Sequence, residues 1–374
     1  NEGIGLAKDE LDCLYEQADF QPIIGNLKDE GGQPEWAEPY LIHKTKSGTN
    51  IAFLAYTFPY YITYAPNGWQ VLEPMARLEE DLARPEVKAA DLVIVLSHLG
   101  VRYDEQIAET YPQVNLVIGS HTHHLFEEGK LINETYLAAA DRYGYYLGCI
   151  DLTVENGQLI ECQIEAIPTK SYIFDLDKED ETFIKAMREE GHRRLAQKKV
   201  ANLGRELDFD ETCQLVLQAV CQETDSQLTI LNTGLIMKTL GPQVTMADLQ
   251  KALPHQMRMV RLVVTGKELK EICREVFTKA ELLKNQAIKG MGFRGKTFGE
   301  VITGNFAYKN GNLLYNSRVV DSNEKFSLVL VDQYYFASYF PKIKEKEVTL
   351  LFPDLLRGLV AKYLRKNGAN WDKR

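Results

Sequence analysis

The chain has 374 residues, 53 Asp and Glu against 43 Lys and Arg, and a formal net charge of −10. At roughly 100–200 residues per domain, that length predicts two domains, each with its own core. With 45% hydrophobic and 26% charged residues the composition excludes disorder and collagen-like structure. No run of about 18 apolar residues is present, so no membrane partner is expected. The acidic balance argues against nucleic acid as a partner, because that needs Lys and Arg to neutralise phosphates. An anionic substrate would need a locally positive site instead.

Residues 50–58 (NIAFLAYTF) read as an apolar β-strand. A short charged helix over residues 75–83 follows, bracketed by Pro74 at its start and Pro85 past its end. Residues 91–97 (DLVIVLS) and 114–120 (VNLVIGS) are short apolar runs that suit buried parallel strands. Between them residues 103–111 have helical spacing and stop at Pro112, completing a βαβ unit. Residues 131–139 and 145–167 read as antiparallel strands closing the first domain.

The largely polar stretch 170–180 marks a boundary, and the charged helix that follows reads as a solvated connector. The expected division is 1–170, a connector at 171–200 and a second domain at 201–374. In the second domain the pattern predicts helices over 211–222 and 267–284. It predicts strands over 227–231, 259–264, 326–331 and 347–351. The fold class is therefore α/β in both halves.

Six cysteines are spread thinly with no CxxC, which reads as reduced, buried thiols in a cytoplasmic protein. The chain opens on Asn1 rather than Met, with no signal-peptide features, and a preceding segment is expected.

Of seven histidines, four fall within the βαβ unit and its exit: His98, His121, His123 and His124. Parallel strands joined by a helix point their carboxyl ends the same way, and open α/β sheets bind ligands at that edge. His98 lies one residue past the first strand, and His121 and His123 just past the second, so all three should meet on one rim. Gly100 and Gly119 suit the sharp turns such loops need. In an extended loop, His121 and His123 would point the same way, roughly 6–7 Å apart. Imidazoles so placed reach one ion, or two ions about 3.5–4 Å apart, and suit Zn, Fe or Mn. The plainer alternative is a set of polar loop histidines without metal. Three histidines leave a two-metal site incomplete; Asp141 and Glu2 qualify as further ligands by chemistry alone.

Four strings run in order along the chain: Asn1-Glu2-Gly3, residues 20–26 (FQPIIGN), Ser97-His98-Leu99-Gly100 and Gly119-Ser-His-Thr-His123. With Gly144 and Gly148, this order resembles the calcineurin-like metallophosphoesterases. Asn232-Thr-Gly234, Leu253-Pro254, residues 264–269 (VTGKEL) and the segment 332–341 resemble the carboxy-terminal domain of bacterial 5′-nucleotidases. The resemblance covers nearly the whole chain. It implies a layered metallophosphoesterase sandwich, incomplete at its start, followed by an α/β substrate-binding domain. It also implies two divalent metal ions (Mn, Zn or Fe), with His98 and His121 on one and His123 on the other. The family's first Asp-x-His, bridging Asp and ligand Asn would lie upstream of Asn1. Asn1 itself stands where the family has its catalytic histidine, and an amide can orient a phosphate but cannot act as an acid.

In the second domain the resemblance nominates Asn232, Gly234, Phe293, Arg294 and Phe340 for substrate binding. Met237 replaces the family's frequent Arg, with Lys238 adjoining. Pro254-His255-Gln256-Met257 replaces Pro-Phe-Gly-Asn, and Ala337-Ser-Tyr-Phe340 replaces the Gly-Gly-Asp-Gly-aromatic turn. Phe340 is either a stacking ring or a core aromatic. Phe293 and Arg294 sit either on a loop that closes over substrate or on an ordinary surface loop. Gly290-Met-Gly292-Phe-Arg-Gly295 satisfies GxGxxG but follows a helix, the wrong context for a dinucleotide site.

The implied function is metal-dependent hydrolysis of nucleotide phosphate esters, of the 5′-nucleotidase type. The alternatives are a cyclic-nucleotide or nucleotide-sugar phosphodiesterase, or a non-catalytic nucleotide-binding protein.

Overall fold

The structure, a computed structural model, describes residues 6, 8–16, 18–171, 178–288 and 293–368. The chain divides into two compact units, residues 1–177 and 178–374. Asn1, Glu2 and residues 290–292 lie outside the described residues.

The first unit is built on a six-stranded sheet. Its strands are β1 (Tyr40–Lys44), β2 (Asn50–Thr57), β3 (Leu92–His98), β4 (Leu116–Gly119), β5 (Lys130–Ile132) and β6 (Thr135–Ala138), in the spatial order β1-β2-β3-β4-β6-β5. Strands β2, β3, β4 and β6 run parallel, and the outer strands β1 and β5 run antiparallel to their neighbours. Both faces are buried, which is why β3 is an unbroken apolar run rather than an alternating one. Val93 and Val95 pack with Leu78 and Leu82 of α1 (Pro74–Leu82) and Ile107 of α2 (Val101–Thr110). Ile94 packs on the other face, with Ile150, Leu152 and Ile164 of the hairpin β7 (Tyr146–Glu155) and β8 (Gln158–Pro168). Each such fully buried Val or Ile contributes roughly 1.5–3 kcal/mol.

Some expectations need correction. The run 131–139 is two strands, because Asn133 takes a left-handed φ of 52° and turns the chain between β5 and β6. β6 then pairs parallel with β4 rather than closing the sheet in antiparallel fashion. Pro85 does more than follow the end of α1: it opens a further short helix, Pro85–Lys88, fitting its pre-set φ at a first helical position. Only three of the six cysteines are buried, Cys213, Cys221 and Cys273, although all six are unpaired.

The second unit includes the charged helix α3 (Lys178–Gln197), which packs beside the helix Met246–Ala252. Its core forms around α4 (Phe209–Glu223), β9 (Leu228–Asn232), β10 (Met259–Thr265), α5 (Gly266–Leu283), β11 (Val301–Gly304), β12 (Lys325–Val331), β13 (Thr349–Leu351) and α6 (Leu356–Asn367). The strands form one mixed sheet in the order β11-β9-β12-β10-β13. Reciprocal side-chain caps start two of these helices, Asp208 with Glu211 on α4 and Thr265 with Glu268 on α5. Among the described residues no helix is long and apolar enough to cross a membrane.

Candidate metal centre

The register of the first sheet brings three strand ends to one rim. Thr57 pairs with His98, and Ser97 pairs with Gly119. The end of β2 is pinned by Asn26, a fully buried residue of the 20–26 string. Its Nδ2 donates to the Thr57 carbonyl at 2.8 Å, and its Oδ1 accepts the Thr57 amide at 2.9 Å. Just beyond, the Phe58 amide donates to the His98 carbonyl at 3.0 Å.

Behind His98, the Ser97 hydroxyl donates to the buried Asp104 carboxylate of α2 and accepts the Leu99 amide at 3.2 Å. Gly119 is needed on β4 because a Cβ there would lie 2.5 Å from Asp104 Oδ2. Gly100 is needed for two reasons. Its φ is +91°, and a Cβ would meet Thr122 Cγ2 at 2.9 Å and His121 Cδ2 at 3.2 Å. The loops after β3 and β4 therefore press on each other, and the Val101 amide donates to Thr122 Oγ1 at 3.0 Å.

The loop after β4 is not extended, contrary to the spacing argument. His121 and His123 have φ of 56° and 54°, in the left-handed region, so the chain coils around Thr122. His121 is half-buried and His123 exposed. His124 bonds to Thr122 Oγ1 through Nδ1 at 2.9 Å, and Asp141 donates its amide to the His124 carbonyl at 2.9 Å.

His98 and His121 do meet. His121 Nδ1 lies 3.3 Å from His98 Nε2, with the rings inclined at 63°. Phe58 stacks on His121 at 4.8 Å between centroids, and Tyr60 Oη lies 3.4 Å from His121 Nε2. Burial, reinforced by the neighbouring imidazoles of His121 and His123, pushes His98 down to about 4. Burial and the nearby His123 lower His121 as well. Both rings are thus neutral at physiological pH, the form that coordinates metal.

The pair suits an ion in its spacing. Two nitrogens bound tetrahedrally at about 2.0–2.1 Å stand about 3.3 Å apart. Two donors do not complete a site, and among the described residues no three His, Cys, Asp or Glu side chains converge closely enough to hold an ion.

The substrate residues nominated in the second unit fare differently. Asn232 is fully buried: it donates to the Phe298 carbonyl and accepts Tyr334 Oη at 2.6 Å. Gly234 is dictated by packing, since a Cβ would lie 2.2 Å from the Thr297 carbonyl. Phe340 is a core aromatic packed edge-on against Tyr334 and Phe298. Phe293 is buried too, stacked on His255 at 4.7 Å. These rings are enclosed because each lies inside the unit's own aromatic core, not on a ligand-facing surface. Arg294 alone of the five is exposed; its amide donates to His255 Nδ1 at 2.9 Å.

Phe58, Tyr60 and Asp104 were not singled out from the sequence. The signal for the first two was available, because a strand ending at residue 58 beside β3 delivers the next residues to the histidine rim. Asp104 gave no such signal, being one acid among several on a short helix.

A layered α/β unit with histidines converging at the carboxyl edge of its parallel strands, joined to a second α/β unit, is the architecture of a metal-dependent phosphoesterase. No protein-family model matches the chain. It is 33% identical over 382 residues to the uncharacterized metallophosphoesterase YunD of Bacillus subtilis, covering 96% of this chain and 81% of that protein. The chain belongs to the metallophosphoesterase family. Its fold is also that of two solved nucleotidases. The NAD nucleotidase of Haemophilus influenzae superposes with a TM-score of 0.60 at 13% identity, over 98% of this chain and 80% of the other. The 5′-nucleotidase precursor of Thermus thermophilus superposes with a TM-score of 0.53 at 16% identity, over 97% and 79%.

Proposed function

We propose that this protein hydrolyses phosphate monoesters of nucleotides, as a 5′-nucleotidase, at a pair of divalent ions of the Mn, Zn or Fe type. The single observation that carries the reading is the 3.3 Å approach of His98 Nε2 and His121 Nδ1 at the strand-end rim. A 5′-nucleotidase of Vibrio cholerae, 21% identical over 336 residues, and the nucleotidase folds support the substrate class.

When bound, such ions polarise the phosphoryl oxygen and bring the pKa of a coordinated water to about 7. His98 and His121 would hold one ion with neutral imidazoles, and His123, exposed on the same loop, is assigned to the other. Phe58 excludes water from one face of His121 and limits its ring motion. Asn1 is assigned to orient the phosphate through its amide. In the second unit Arg294 is assigned to the anionic part of the substrate, its guanidinium being exposed. A cytoplasmic setting belongs to the same reading, supported by six unpaired cysteines.

The test is phosphate release by the full-length protein with Mn²⁺ or Zn²⁺, comparing AMP, cyclic nucleotides and UDP-sugars. Release from AMP, lost at least about 100-fold in His98→Ala and His121→Ala, is expected. Preference for the diesters would make it a phosphodiesterase, and tight nucleotide binding without release under any metal would make it a binding protein.

A further inference from the structure

The geometry points to Tyr60 as a positioning residue that selects the tautomer of His121. The inference rests on the metal-binding reading above and concerns a residue outside every motif in the sequence. His121 uses its two ring nitrogens in opposite directions: Nδ1 faces His98 Nε2 at 3.3 Å, and Nε2 faces Tyr60 Oη at 3.4 Å. A neutral imidazole carries one proton. If Nε2–H donates to the phenol oxygen, the Nδ1 lone pair is left on the side where His98 presents its own nitrogen. If the proton sits on Nδ1 instead, it occupies the space an ion would take.

Tyr60 is held well enough for this task. Its carbonyl accepts the Thr63 amide at 2.9 Å, the Tyr64 amide at 3.0 Å and the Thr63 hydroxyl at 2.8 Å, so it anchors the start of the turn Tyr61–Tyr64. Two residues earlier Phe58 is bonded to the His98 carbonyl, which ties this segment to the same rim as the histidines. Phe58 stacks nearly parallel to His121, at 16°, while Tyr60 meets it edge-on at 65°. The stack fixes the plane of the ring and the phenol fixes its rotation within that plane. The 3.4 Å separation is long for a hydrogen bond. A metal-bound histidine almost always has its other nitrogen so engaged, and loss of that partner typically weakens metal binding 10- to 100-fold.

The experiment uses the full-length protein labelled with ¹⁵N in its imidazoles. Long-range ¹H–¹⁵N spectra of the metal-free form report which nitrogen carries the proton, and His121→Asn assigns the resonance. The wild type is expected to show His121 protonated at Nε2. Tyr60→Phe, which keeps the ring and removes only the oxygen, is expected to shift His121 towards the Nδ1-protonated form. It should also weaken Co²⁺ binding about 10- to 100-fold, read from the visible absorption of the bound ion. A wild-type His121 protonated at Nδ1 would overturn the proposal. So would a Tyr60→Phe protein with unchanged tautomer and Co²⁺ affinity. Failure of the wild type to release phosphate from AMP would count against the hydrolytic reading alone, since the tautomer is measured without substrate or turnover.

Discussion

Ser97 and Asp104 share a buried hydrogen bond one residue before His98, and the same Ser97 hydroxyl accepts the Leu99 amide. Ser97→Ala therefore strips Asp104 of a donor and Leu99 of an acceptor, in a place water does not reach. The expected cost is about 1–3 kcal/mol of stability in the first unit, with weaker metal binding at His98. Asp104→Asn keeps an acceptor of the same size and should cost less. Thermal unfolding of the two variants checks this, and equal losses would show that the pair does not hold the turn.

Metal uptake should resist acid. At an ordinary histidine, near 6.5, protons compete with metal for the ring nitrogen below pH 6.5. Burial lowers His98 to about 4 and moves His121 in the same direction. The sign is that of a base depressed by desolvation, so the neutral, ligating form persists on acidification. Zn²⁺ affinity by calorimetry should change little between pH 7.5 and 6. A steep loss across that window would contradict the buried setting of the pair.

Asn232 separates a structural from a ligand-binding role. Both ends of its amide are used inside the second unit, on the Phe298 carbonyl and the Tyr334 hydroxyl. Asn232→Ala is expected to cost about 2–4 kcal/mol, because both partners are left unsatisfied in the core. The folded fraction should keep its KM for AMP. A raised KM with normal stability would restore Asn232 to the substrate site.

Within the second unit, ionisation of Asp332 should work against the fold as pH rises from about 4 to 7, in the opposite sense to the buried His255, which burial lowers to about 4. Burial pushes the Asp332 carboxyl up to about 7, offset only in part by the Arg258 and Gln333 amides. An acid whose folded pKa lies above its unfolded value binds more protons when folded, so its ionisation works against the fold. The full cost, on the order of 4 kcal/mol, is present above pH 7 and absent below about pH 4. Asp332→Asn retains an acceptor for the Arg258 amide, now 3.1 Å from the carboxylate. Urea unfolding at pH 4.5 and 7.5 should show Asp332→Asn more stable relative to the wild type at the higher pH than at the lower, and an equal difference at both would contradict the buried setting of the carboxyl.

Much of the fold was legible because hydrophobic runs and proline positions act locally. The strands expected at 91–97 and 114–120 and the helix at 267–284 differ from those observed by only a few residues at their ends. The convergence of His98 and His121 followed from parallel-strand topology alone. What sequence could not supply was orientation. Nothing local says that His121 and His123 adopt left-handed backbone, and the close approach of their loop to Gly100, which only a glycine leaves room for, joins residues of separate loops. Nor does a motif say whether its residues face a ligand: Asn232, Phe293 and Phe340 occupy motif positions yet are enclosed by contacts from distant parts of the chain. Tyr60 was within reach of the same topology, since the strand it follows ends beside His98, but no motif marked it.

The two left-handed histidines have an evolutionary corollary. A side chain bearing a Cβ in that region costs roughly 1–2 kcal/mol relative to glycine. His123→Gly should therefore relieve the backbone at an exposed side chain, whereas the His121 ring also packs on Phe58 and meets His98. A lineage released from chemical duty would drift towards glycine at residue 123, and retention of an imidazole there in a population would be a record of use.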